Sequence, residues 1–131
     1  MQKNEISIAL NALKLWEKNS WEKISLSNIL SKQKKITIKN KTDILIIINR
    51  YFDYLLKENL SFLEVSSSKD MLFEVLMERL DILNNYRTSV KKIINYFLLK
   101  PHVFIKVLPS FIESIMLIMK LSKINTNGIL A

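Results

Sequence analysis

The stretch KTDILIIINRYFDYLLK, residues 41–57, decides the fold class. Its run ILIII, residues 44–48, is continuous and mostly β-branched, and taken alone it suits a buried strand as well as a helix. The continuation favours a helix: Ile44, Ile47, Ile48, Tyr51, Phe52 and Leu55 recur at steps of three and four, which puts them on one face. Thr42 and Asp43 stand at the start, where a side-chain oxygen can accept from orphan backbone amides and negative charge suits the helix dipole. The expectation is a long helix from 42 to about 57.

Toward the N-terminus the same period returns. Ile6, Ala9, Leu10, Leu13 and Trp16 mark a helix over residues 5–18. Trp21 and Ile24 form a short hydrophobic connection, and Ser25 can cap a second helix, 25–34, that buries Leu26, Ile29 and Leu30. Between that helix and the opening stretch lies KITIKNK, residues 35–41, in which β-branched Ile36, Thr37 and Ile38 follow one another. That is poor helix material, and an extended or loop conformation is expected.

Toward the C-terminus, SSSKD at 66–70 has a capping-box pattern in Ser67 and Asp70, ahead of a helix expected to turn Leu72, Phe73, Leu76, Leu80 and Leu83 inward. Glu74, Glu78, Arg79 and Asp81 read as its solvated charged flank. A helix over 87–99 should stop before Pro101, because a residue preceding proline is biased out of α geometry. Pro109 is expected to open or kink a last helix at 110–121, closed by the turn residues INTNG at 124–128. The fold class is therefore all-α, a bundle of about five to six helices in one domain of 131 residues. Its N-terminal part covers 1–60 and its C-terminal part 67–131. One glycine and two prolines suit helices joined by short connections.

The chemistry inventory is short. Absence of cysteine excludes disulfides, thiolate nucleophiles and cysteine-based zinc sites, and it suits a reducing cytoplasm. His102 is the one histidine and has no carboxylate or imidazole at ligand spacing. No phosphate-binding glycine loop or nucleophile elbow is present. Catalysis, a metal and a cofactor are not expected. The N-terminal amphipathic helix carries Lys14, Glu17 and Lys18 where a signal peptide needs unbroken apolar sequence. Residues 104–121 are broken by Lys106, Pro109, Glu113 and Lys120, so no transmembrane segment is expected.

Two features bear on binding. SKQKKITIKNK, residues 31–41, holds five lysines and no acid, and Lys32, Lys34, Lys35, Lys39 and Lys41 are candidates for DNA phosphate. The formal charge of +8 points the same way, although lysine far outnumbers the three arginines, a profile that AT-rich codon usage also produces. In the C-terminal part, Leu76, Leu80, Phe97, Phe104, Phe111, Ile115 and Met119 come from at least three expected helices. If they converge without filling the space they enclose an apolar cavity for a hydrophobic small molecule or lipid; otherwise they are plain core.

IALNALKLWEKNSWEKISLSNI at 8–29 resembles the opening of TetR-family regulators, with an alanine–leucine pair, a short turn and a helix of the W-x-x-I-S-L-x-x-I kind. KTDIL at 41–45 is similar to the start of that family's fourth helix. DMLFEVLMERLDILNNYR at 70–87 and SIMLIMKLSKINTNGILA at 114–131 resemble the ligand-binding half of one bacterial branch. The resemblance implies a TetR-like bundle, a helix-turn-helix-like N-terminal part, a non-enzymatic role in transcription regulation and a homodimer. The architecture is also similar to a TetR-like lipid-binding accessory family of ubiquinone biosynthesis. The family normally fits a turn, a recognition helix and another turn where only residues 34–41 stand here. A helix under two turns cannot present several side chains to a groove, so DNA binding is expected to be weak and non-specific. The family also continues past the INTNG region with dimer-building helices, which makes this chain a shortened relative or a fragment.

Overall fold

The computed structural model describes residues 1–19, 29, 40–60 and 68–122. Five helices are laid out in it: α1 (Lys3–Lys18), α2 (Lys41–Asn59), α3 (Ser68–Asn85), α4 (Arg87–Leu99) and α5 (Pro101–Leu121). Among the described residues there is no strand, and the all-α bundle expected from the sequence is the fold. Ile29 is helical and fully buried in the core. The remainder of the expected second helix, the stretch 35–39 and Ser67 lie outside the described residues.

α2 is the central helix and packs against α1, α3 and α5. Its cap differs from the expectation. Asn40, one residue before the helix, accepts from the Asp43 backbone amide at 3.1 Å, and Asp43 sits in the first turn as a favourable charge. Ile44, Ile47, Ile48, Tyr51 and Phe52 are buried as the period required, and Leu45, Asn49 and Leu56 join them. So broad a buried face belongs to a helix covered on three sides.

α1 contributes Ile8, Ala9, Ala12, Leu13 and Trp16 to the core. α4 reaches across to it. Ser89 Oγ donates to the Leu13 carbonyl at 2.6 Å, and Lys92 Nζ donates to the carbonyls of Trp16, Glu17 and Asn19 at 2.6, 3.3 and 3.1 Å. The carbonyls of Trp16 and Glu17 belong to the last turn of α1 and that of Asn19 to its C-cap, where the helix has no amides left to satisfy them and its dipole favours a cation. Lys92 is therefore a C-terminal cap supplied from another helix.

α3, α4 and α5 follow one another with single-residue links, Tyr86 and Lys100. Pro101 occupies the first turn of α5, where its missing amide costs nothing. The expectation that Pro109 opens or kinks a helix at 110–121 is corrected here: α5 is one helix from Pro101 to Leu121 with Pro109 inside it. Phe97 meets Phe104 and Phe111 edge-on, with ring centroids at 5.4 and 6.1 Å, and this aromatic cluster ties α4 to α5.

The inward stripe expected of α3 is also corrected. Met71, Val75 and Ile82 are its buried positions, whereas Phe73 (62% exposed), Leu76 and Leu80 (57%) face outward. The helix is apolar on more than one side, and period alone does not choose between two apolar stripes. Arg79 lies on the buried side with Val75 and Ile82 and has a partner inside the bundle.

Candidate functional site

Arg79 of α3 turns toward α2. Its Nη1 donates to Asp53 Oδ1 at 2.6 Å and its Nη2 donates to Asn49 Oδ1 at 2.9 Å. The guanidinium also lies 5.8 Å from the centroid of the Phe52 ring, within cation–π range. Asn49 Nδ2 then donates into α5, to Ser114 Oγ at 2.8 Å, Ser110 Oγ at 3.0 Å and the Ser110 carbonyl at 3.2 Å. Ser114 Oγ closes the circuit by donating to Asp53 Oδ2 at 2.7 Å. Only one orientation of the Asn49 amide satisfies both sides, since its oxygen must face the arginine. Five side chains on three helices form one polar network, and the sequence reading of Arg79 as part of a solvated flank is overturned by it.

The network sits in little water. The Arg79 and Asp53 side chains are 12% and 17% exposed. Burial pushes the Asp53 carboxyl above its ordinary range, and nearby Glu113 adds to this, while Ser114 and Arg79 work against it without prevailing. A raised folded-state value means that the folded chain holds this proton more tightly than the unfolded chain. The residue's contribution to stability is then full below the ordinary carboxylate pKa and declines as pH rises through the raised value. Asp53→Asn carries no such titration. Compared by urea unfolding from about pH 3 to about pH 7, wild type should lose ground relative to this variant as pH rises. A flat or opposite trend would show that Arg79 and Ser114 outweigh burial.

Beside the network an apolar groove of about 200 Å³ runs between the helices. α2 lines it with Leu45, Ile48, Asn49 and Phe52, α3 with Arg79 and Leu83, α4 with Val90, Ile93, Ile94 and Phe97, and α5 with Phe111. Of the seven residues expected to enclose a cavity, Phe97 and Phe111 line this groove. Leu76, Leu80, Phe104 and Ile115 are exposed on the outer surface instead, and Met119 is half-buried outside the lining. Leu76 and Leu80 miss it because α3 buries its Met71, Val75 and Ile82 side, and Phe104 and Ile115 because α5 buries its Val103, Val107, Ser110 and Ser114 edge. The α2 and α4 residues of the lining were legible as apolar positions, but nothing in one sequence pairs position 48 with position 93.

The outer face is itself notable. Phe73, Leu76, Met77 and Leu80 of α3, and Phe104, Ile105, Leu108, Ile112 and Ile115 of α5, are all at least partly in water. α5, with 21 residues, is long and apolar enough to cross a membrane; over an 18-residue window its mean hydropathy is 1.6 and 22% is buried. Its buried edge carries Ser110 and Ser114, which the polar network uses, so the helix is built into the bundle.

Lys41 is the first residue of α2, and the other four lysine candidates, Lys32, Lys34, Lys35 and Lys39, lie outside the described residues. His102 is exposed. Among the described residues no three histidine or acidic side chains are grouped to hold a metal ion. No family model matches the chain, and no curated protein and no solved structure matches it either.

Proposed function

We propose that the protein is a TetR-like, non-enzymatic regulator-type protein that binds a small apolar ligand in the groove and contacts DNA non-specifically through its lysine-rich segment. The observation that carries the reading is the arrangement of the groove walls. α2 begins at Lys41, where the lysine run ends, and lines the groove from its first turns onward. α4, the opposite wall, holds the last turn of α1 through Lys92. The two walls of one groove thus hold the residues that bound the segment 20–39 on either side. A ligand that changes the spacing of α2 and α4 must displace one of those attachments relative to the other.

The lipid- or isoprenoid-carrier alternative draws on the same groove without the DNA contact. The exposed apolar face of α3 and α5 favours a further, compatible role in association, since a contiguous apolar surface of that kind marks a protein contact, a second copy of the chain included.

One titration in the analytical ultracentrifuge tests these readings together. Two unrelated duplexes should bind with similar affinity, because lysine–phosphate contacts carry no sequence information. Four or five such contacts should weaken on the order of a few hundredfold between about 50 and about 200 mM salt. Lys34→Gln with Lys35→Gln and Lys39→Gln should flatten that slope. Absence of binding at the lower salt would remove the DNA reading, and the mass of the free protein reports self-association in the same run.

A further inference from the structure

The groove's polar end specifies the kind of molecule it takes, and this inference rests on the groove being the ligand site of the reading above. Among the described residues of the lining Arg79 is the one that is charged, and its charge is already answered. Asp53 takes Nη1 and Asn49 takes Nη2. Burial is the main reason the Asp53 carboxyl is pushed upward despite the arginine, and Glu113 adds further negative potential there. An entering carboxylate would therefore give up its hydration for a site whose net local charge is zero or negative, in surroundings where unpaired charge is costly. A neutral oxygen meets no such obstacle. Two of the five guanidinium N–H donors are engaged with Asp53 and Asn49, and the remainder can serve an uncharged acceptor.

Size narrows the choice further. A dry apolar cavity of about 150 Å³ accepts benzene, and this groove measures about 200 Å³. It covers roughly six to ten non-hydrogen atoms, so the rest of a polyisoprenoid or a long acyl chain would extend beyond it and gain nothing from these walls. We infer that the groove selects small, neutral, apolar molecules with one hydrogen-bond acceptor oxygen, such as a short alcohol, ketone or phenol, and discriminates against carboxylates and long chains.

The test uses the intact chain and three probes, 1-heptanol, heptanoate and farnesol, followed by amide chemical shifts of Ile48, Phe52, Ile93 and Phe97 at about pH 7. Heptanol should move these amides saturably, heptanoate should bind at least ~10-fold more weakly, and farnesol should gain nothing over heptanol. Heptanoate binding as well as heptanol would overturn the charge argument, and farnesol binding ~10-fold tighter would overturn the size argument. If none of the three moves the groove amides, the groove is not a ligand site and the ligand half of the proposed function falls too, whereas the DNA titration stands or fails by itself. Asp53→Asn supplies a second readout: removing its negative charge should raise heptanoate affinity relative to heptanol by about 10-fold. An unchanged ratio would show that Asp53 does not set the selectivity.

Discussion

Arg79→Met should cost on the order of 3–5 kcal/mol of folding stability at neutral pH, because it removes one partner of a buried ion pair and strands the other. Asp53 would keep only Ser114, and Asn49 Oδ1 would lose its donor, in a region where both side chains of the original pair are less than one-fifth exposed. Against a total of roughly 5–15 kcal/mol for a domain of this kind, such a loss is large. Its pH dependence is diagnostic. Burial already favours the protonated form of Asp53, so acidification supplies a proton in place of the missing guanidinium and the penalty should shrink. Adding Asp53→Asn to Arg79→Met should return about 1–3 kcal/mol, since neighbours in one network are not additive. Urea unfolding followed by circular dichroism reads all three variants. An Arg79→Met loss below about 1 kcal/mol would place this pair among exposed ion pairs of little weight.

Trp16→Ala should be comparably severe, about 3–5 kcal/mol, through a different cause. The indole is fully buried in the hydrophobic core, and its removal leaves a cavity the size of a bicyclic ring. The same residue's carbonyl accepts from Lys92 at 2.6 Å, so collapse of α1 into the void would also disturb the cap on its last turn. Trp16→Phe keeps most of the packing and should cost clearly less, which separates lost volume from lost backbone position. The comparison reads as two urea midpoints at constant slope. Equal losses for Ala and Phe would show that restoring ring volume recovers nothing and that lost volume is not the cause.

The helices themselves were legible because three- and four-residue spacing is a property of consecutive residues. Residues 44–56 and 6–16 carry it clearly, and α4 spans 87–99, ending before Pro101 as expected. The orientation of α3 was not legible. Its sequence offers one stripe through Met71, Val75 and Ile82 and another through Phe73, Leu76 and Leu80, and both are apolar. Arg79 lies near the first stripe, and its burial depends on Asp53, 26 residues away, and on Asn49, 30 away. Charges read along one helix look like a solvated flank; only the partner helix reveals that one of them is paired inside. Pro109 failed for a related reason. Its bias against a helix interior is about 3 kcal/mol, which packing of Val103, Val107, Ser110 and Ser114 on either side of it overrides.

The lysine cap on α1 has a consequence for the order in which the chain is made. Ser89 and Lys92 stand 76 residues after the carbonyls of Leu13 and Trp16 that they hold. During synthesis at roughly 5–20 residues per second, α1 emerges about 4–15 seconds before the side chains that complete its final turn exist. Through the first half of that interval its apolar face, Ile8, Leu13 and Trp16 included, lacks α2, and throughout it lacks α4. An isolated helix of 16 residues is marginal in water. The last turn of the N-terminal helix is therefore completed late, after α2 is already available to pack on the rest of it, because its cap arrives only with α4.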